Sequence, residues 1–144
     1  MESNKEQGLP AGGDPADKLV LIVEDDESVG DLFFYVVRRE GFRTEQASDG
    51  KEALEKAQLL RPSLILLDLM LPRLGGYEIL RELQEGGTAG IPIVLASSRD
   101  MDSTTRDMLM REPNVKDFMQ KPVKPQTLAA RLHELLGTRR RAGE

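Results

Sequence analysis

The run Ser63-Leu64-Ile65-Leu66-Leu67-Asp68 decides how this chain is read: an apolar stretch of strand length that closes on a carboxylate. A run so short and so apolar is typical of a strand buried on both faces, as in a parallel sheet covered by helices. Its aspartate then stands at the sheet edge on a rigid backbone. Three other stretches repeat the pattern. Leu19-Val20-Leu21-Ile22-Val23 ends in Glu24-Asp25-Asp26, Ile91-Pro92-Ile93-Val94-Leu95-Ala96 ends in Ser97-Ser98, and Asp117-Phe118-Met119-Gln120 ends in Lys121-Pro122. In a parallel sheet these ends converge on one edge, where acids, hydroxyls and a lysine would meet.

Between and around these runs, strand and helix patterns alternate five times. Val29, Leu32, Phe33, Val36 and Val37 recur at helical spacing and predict one apolar face of a first helix, stopped by Gly41. Phe42 to Ala47 reads as a strand, and Asp49 with Glu52 resembles a capping box opening a helix to Leu60. Ile79, Leu80 and Leu83 mark a third helix ending near Gly86-Gly87. Met101, Thr105, Met108 and Leu109 make only a thin stripe, so the fourth helix should be short. Val115 to Gln120 is the fifth strand. Pro125 suits a helix first turn, and Leu128, Leu132, Leu135 and Leu136 give the last helix its buried side. Five β–α units in succession imply a parallel sheet with helices on both faces, with ligands bound at the carboxyl ends of the strands.

The remaining sequence sets the boundaries. Residues 1–17 carry Gly8, Pro10, Gly12, Gly13 and Pro15 among polar neighbours and are expected to be a disordered lead-in. Residues 18–136 form the domain, and residues 137–144 are expected to be a loose basic tail whose arginines complement the helix dipole. The 144 residues, 39% hydrophobic and 31% charged, suit one domain. A net charge of −5 argues against nucleic-acid binding through the whole surface. Without cysteine there is no disulfide, thiol catalysis or thiolate-bound zinc. The apolar runs are too short for membrane insertion and the N-terminus too polar for a secretory signal, so a cytoplasmic protein is expected.

The converging residues suggest a chemistry. Glu24, Asp25 and Asp68 concentrate negative charge, which a divalent cation would relieve. Oxygen ligands of this kind suit magnesium, Mg2+, and nothing offers the imidazole or thiolate a softer metal prefers. Beside such a cation Asp68 can act as a nucleophile toward a phosphoryl group, giving an aspartyl phosphate. That transfer needs positioning and charge neutralisation, for which Lys121 supplies a positive pole and Ser97 a hydroxyl. Taken singly, an acid at a strand end is more often a helix cap, the role expected for Asp26 and Asp49.

Together these motifs resemble the receiver domain of bacterial two-component response regulators, over residues 18–136. They are Leu-Ile-Val-Glu-Asp-Asp-Glu at 21–27, Leu-Leu-Asp-Leu-Met-Leu-Pro at 66–72 with Gly76 after it, and Lys121-Pro122. The resemblance implies a flavodoxin-like (βα)5 doubly wound α/β fold with strand order 2-1-3-4-5. It makes Asp68 the phosphoacceptor and Glu24, Asp25, Asp68 and the backbone carbonyl of Met70 the magnesium site. Ser97 becomes the switch hydroxyl, Lys121 the lysine that contacts the phosphoryl group through a segment with a cis Lys121–Pro122 bond, and Phe118 the switch aromatic. Met70 and Arg99 occupy positions that tune attack of water on the aspartyl phosphate. A bulky methionine and a long cation there would lengthen its life.

Departures from the family pattern fall elsewhere. Gly75 replaces the usual acid or amide before Gly76 and should weaken the cap of the third helix. Pro113-Asn114 replaces the common glycine–alanine turn, and Phe118 lacks a tyrosine hydroxyl. His133, the sole histidine, is expected on the surface. The implied protein is a single-domain response regulator of the chemotaxis type. It would take its phosphoryl group from a sensor histidine kinase or histidine phosphotransfer protein in a phosphorelay. Its output would pass through contacts with an unidentified protein, with no direct nucleic-acid binding. It would be no enzyme beyond catalysing its own phosphorylation and dephosphorylation. A phosphorylation-independent docking module, or a receiver fragment of a longer hybrid kinase or transcription factor, is the alternative. A haloacid-dehalogenase phosphatase needs a second aspartate where Met70 stands. A flavodoxin-like cofactor binder would have its phosphate repelled by Glu24-Asp25-Asp26.

Overall fold

The structure is a computed structural model that describes residues 12–71 and 74–140. Five strands, β1 (Leu19–Val23), β2 (Arg43–Ala47), β3 (Leu64–Asp68), β4 (Ile93–Ser97) and β5 (Val115–Gln120), form one sheet. Its order is β2-β1-β3-β4-β5, and all neighbours run parallel. Helices α1 (Glu27–Arg39), α2 (Gly50–Leu60), α3 (Gly76–Leu83), α4 (Ser103–Met110) and α5 (Pro125–Leu136) connect them. The expected flavodoxin-like α/β topology is therefore present. β4 begins two residues later than the sequence suggested, because Pro92 has no N–H to give the ladder and only its carbonyl pairs, accepting from Ile65.

Successive strand residues face opposite layers. Leu21, Val23, Ile65, Leu67, Ile93 and Leu95 face one core, with Ala53 and Ala57 of α2, Ile79, Leu80 and Leu83 of α3, and Leu109 of α4. Val20, Ile22, Leu64, Leu66, Val94 and Ala96 face the other, with Phe33, Val36 and Val37 of α1 and Leu128 and Leu132 of α5. Each such leucine or isoleucine taken out of water contributes about 1.5–3 kcal/mol. This two-sided burial is why β3 tolerates no polar residue until Asp68. Leu32 is a correction to the predicted α1 face: it is 48% exposed, and Gly30 takes the inward position.

Helix starts follow the sequence. Asp26 accepts from Val29 N at α1, and Asp49 accepts from Glu52 N at α2. Gly75 has no side chain with which to cap α3. Glu78 partly compensates by accepting from Gly75 N at 2.8 Å. A Cβ on Gly76 would stand 2.4 Å from Leu69 Cα and 2.7 Å from Asp68 O, so only glycine lets α3 start directly against the end of β3. α4 is short as expected, with Leu109 its only buried residue and Asp102 its cap.

Three terminal expectations need correction. Residues 12–17 are ordered, with a 3-10 turn at Pro15–Asp17 and a parallel bridge between Gly13 and Thr138; residues 1–11 lie outside the described residues. The tail is not loose through Arg140, because Arg139 N donates to Gly13 O and Arg140 lies 3.6 Å from Glu40. His133 is buried, 4% exposed. Its Nε2 lies 2.9 Å from Glu40 Oε1, its Nδ1 lies 2.8 Å from Thr138 Oγ1, and its ring packs 4.9 Å from that of Phe42. Ala129 and His133, one turn apart, complete the buried stripe of α5, a spacing the leucines alone had hidden.

Removing one partner of a buried pair leaves the other desolvated. His133→Ala should therefore cost roughly 3 kcal/mol of stability, measured by urea unfolding. A loss below about 1 kcal/mol would mean that the Glu40–His133–Thr138 network is no better than a surface contact.

Candidate functional site

Sheet register assembles the site. Val23 pairs with Leu67, so Glu24 emerges beside Asp68; Asp68 pairs with Ala96, so Ser97 follows beside it. Ser97 pairs with Gln120 and accepts from Lys121 N at 2.8 Å through its carbonyl, which brings Lys121 to the same edge. The Lys121–Pro122 bond is cis.

At that edge Lys121 Nζ donates to Glu24 Oε1 at 2.6 Å and stands 3.3 Å from Asp68 Oδ2. Asp68 Oδ1 accepts from Met70 N at 2.9 Å, and Glu24 Oε2 accepts from Asp26 N at 3.2 Å. Asp68 and Glu24 are buried while Asp25 is exposed. Carboxylate oxygens of Glu24, Asp25 and Asp68 lie within 4.8 Å of one another. Burial pushes the Glu24 carboxyl above its ordinary value. The Lys121 hydrogen bond opposes that shift and the Asp68 charge adds to it. Burial works against the Lys121 ammonium too, yet the Glu24 hydrogen bond and the two carboxylate charges hold its pKa above the usual lysine value. Sequence reasoning paired Lys121 with the phosphoryl chemistry of Asp68. It missed that Glu24 is the nearer partner, which only the register reveals.

Three oxygen-donor residues at these separations, with no histidine or cysteine among them, fit a hard divalent cation. Ser97 is fully buried, and its Oγ accepts from Arg99 N at 3.1 Å, which ties the hydroxyl to the β4–α4 turn. Gln120 donates to Asp100 of the same turn. Phe118 is half-buried against the core, and the Arg106 guanidinium lies 4.8 Å from its ring centroid. No pattern in the sequence signalled the last two contacts, which join residues distant along the chain. Met70 is 37% exposed and Arg99 is exposed, and their backbone N–H groups donate to Asp68 and Ser97.

The response regulator receiver domain profile matches residues 20–133. This chain belongs to the receiver-domain family of response regulators. It is 38% identical over 117 residues to the DNA-binding response regulator MtrA of Mycolicibacterium smegmatis, an alignment covering 81% of this chain and 50% of that protein. It is 37% identical over 119 residues to the transcriptional regulatory protein PhoP of Bacillus subtilis, covering 83% and 48%. The chain thus spans about half the length of the curated relatives it matches. A Francisella response regulator receiver domain superposes with a TM-score of 0.75 at 25% identity, covering 83% of this chain and 96% of that one. The receiver domain of a Pseudomonas aeruginosa sensor histidine kinase, solved with magnesium coordinated in its active-site cleft, gives 0.74 at 26% identity, covering 84% and 98%. Receiver domains bind magnesium at such an acidic site. Among the described residues no helix is long and apolar enough to cross a membrane.

The crowded carboxylates make a stability prediction. A carboxyl whose folded-state pKa is raised contributes stability that is full below its unfolded value, near 4.5 for Glu24, and lost as pH rises through the raised value. In chelator, Asp68→Asn removes part of that upward push while leaving the Lys121–Glu24 pair. It should raise Tm near neutral pH by a few degrees and flatten the fall in Tm above pH 4.5. Thermal melts across pH check this; an Asp68→Asn protein less stable than wild type at pH 7 would contradict it.

Proposed function

We propose that this protein is a phosphorylation-activated response regulator receiver that accepts a phosphoryl group on Asp68 from a phosphohistidine donor. The observation that carries the reading is the single cluster formed by Glu24, Asp25, Asp68 and Lys121 at the carboxyl edge of the sheet. Glu24, through water, Asp25, Asp68 and the Met70 carbonyl would hold the magnesium. When bound, that ion neutralises phosphoryl oxygens in the transfer.

An Asp68 carboxylate oxygen attacks phosphorus, the new P–O bond forms as the P–N bond breaks, and the electron pair stays on the donor imidazole. Asp68 Oδ1 is already held by Met70 N, so the nucleophile is oriented before the donor arrives. Lys121, within reach of both Glu24 and Asp68, turns toward a phosphoryl oxygen. Ser97 leaves Arg99 to donate its hydroxyl to another oxygen. Phe118 then fills the space Ser97 vacates, and the surface shifts between two arrangements that pre-exist in equilibrium. The donor is a sensor histidine kinase or a histidine phosphotransfer protein, and output passes through a protein partner in the cytoplasm. The protein catalyses only its own phosphorylation and dephosphorylation. Met70 and Arg99 shield the acyl phosphate from water.

A second reading draws on the relatives. Those named as DNA-binding or transcriptional regulators are matched over about half their length, which supports a receiver that serves a transcriptional output in a longer protein.

Incubation with acetyl phosphate and magnesium, read by intact-mass spectrometry, should add one phosphoryl group to the wild type. It should add none to Asp68→Asn or in chelator, and Lys121→Ala should lower the yield at least about tenfold. Met70→Asn should lose the group several-fold faster than wild type. Phosphorylation of Asp68→Asn to the wild-type level would refute the assignment.

A further inference from the structure

Arg106 is the one cation of α4. Asp117 is paired with Arg131, which also reaches Glu134, and Lys116 donates to Pro113 O. Arg106 pairs with no carboxylate among the described residues, and its guanidinium lies over the Phe118 ring. α4 itself is weakly held, because Leu109 is its sole buried residue and Met101, just before it, is only partly buried. The Arg106–Phe118 contact joins α4 to β5 beside the apolar packing of Leu109 in the core that Val115 shares. It sits on the aromatic residue that has to move for the switch described above.

We propose that Arg106 is a positioning residue that holds Phe118 in its resting place and so sets how readily the unphosphorylated protein enters its active arrangement. The proposal rests on the phosphorylation switch inferred above. A cation over an aromatic face is attracted to the ring's negative quadrupole, and phenylalanine offers that face without a hydroxyl to compete for the guanidinium. When Ser97 leaves Arg99 and opens space beside Phe118, the ring can follow only by leaving Arg106. The resting state is held at two points: Ser97 Oγ on Arg99 N, and the ring under Arg106. Gln120 to Asp100 ties the intervening turn to β5, so the two points move together. Phosphorylation then does two things through one residue: it moves the aromatic ring inward and releases the exposed Arg106 guanidinium from its ring contact.

The test uses the full chain with ring-labelled phenylalanine, comparing wild type, Arg106→Met, Arg106→Lys and Asp68→Asn by NMR during titration with beryllofluoride in saturating magnesium. Methionine keeps much of the length and apolar cover of arginine but no charge; lysine keeps the charge. Arg106→Met should move the unliganded Phe118 resonance toward its beryllofluoride-bound position and tighten apparent beryllofluoride affinity about two- to five-fold, the range expected from losing one exposed cation–π contact. Arg106→Lys should stay near wild type, and Asp68→Asn should not respond. An Arg106→Met protein whose resting resonance and affinity both match a responsive wild type would overturn the positioning role while leaving the switch intact. A wild type that does not respond to beryllofluoride would overturn the switch and this role with it.

Discussion

Burying Glu24 and Asp68 within reach of each other removes hydration and adds repulsion, and the Lys121 ammonium offsets both through a 2.6 Å contact to one and a 3.3 Å contact to the other. The sheet and its two apolar layers keep these groups together. β1, β3 and β5 deliver them, the register fixes which residues meet, and two apolar layers hold the strands too firmly for the charges to separate. The arrangement is held short of its best electrostatic state. A cation would draw on Glu24, Asp25 and Asp68 at once and free Lys121 for a phosphoryl oxygen, so tension in the resting site favours the chemistry.

The same edge explains how a local event can reach the surface. Ser97, Gln120 and Lys121 are neighbours across β4 and β5, and the turn that follows Ser97 leads directly into α4. α4 has little apolar anchorage, so small changes at Ser97 and Phe118 act on the least firmly packed helix rather than on the core. A rigid frame and one loosely held element are what a two-state surface needs.

Most of this was legible in the chain. The apolar runs ending in Asp68, Glu24, Ser97 and Lys121 determine both topology and site, because a strand buried on two faces admits polar residues only where it leaves the sheet. The caps at Asp26 and Asp49 were equally plain. What the pattern hid depends on contacts between segments far apart in sequence. Leu32 fitted a helical period yet faces water, since periodicity sets a stripe but not its width. His133 looked like a surface histidine until Glu40 and Thr138 closed around it, and the ordered tail follows from that pairing. The preference of Lys121 for Glu24 over Asp68, and the guanidinium over Phe118, likewise arise only from three-dimensional packing.

The most direct test of the central claim is a crystal structure of the protein with magnesium and beryllofluoride. The account predicts beryllofluoride on Asp68 and a cation held by Glu24, Asp25 and Asp68. It also predicts Lys121 turned from Glu24 to a fluoride, Ser97 Oγ released from Arg99 N, and Phe118 moved inward. Beryllofluoride bound at Asp68 with Lys121 still on Glu24 and Ser97 still on Arg99 would contradict it.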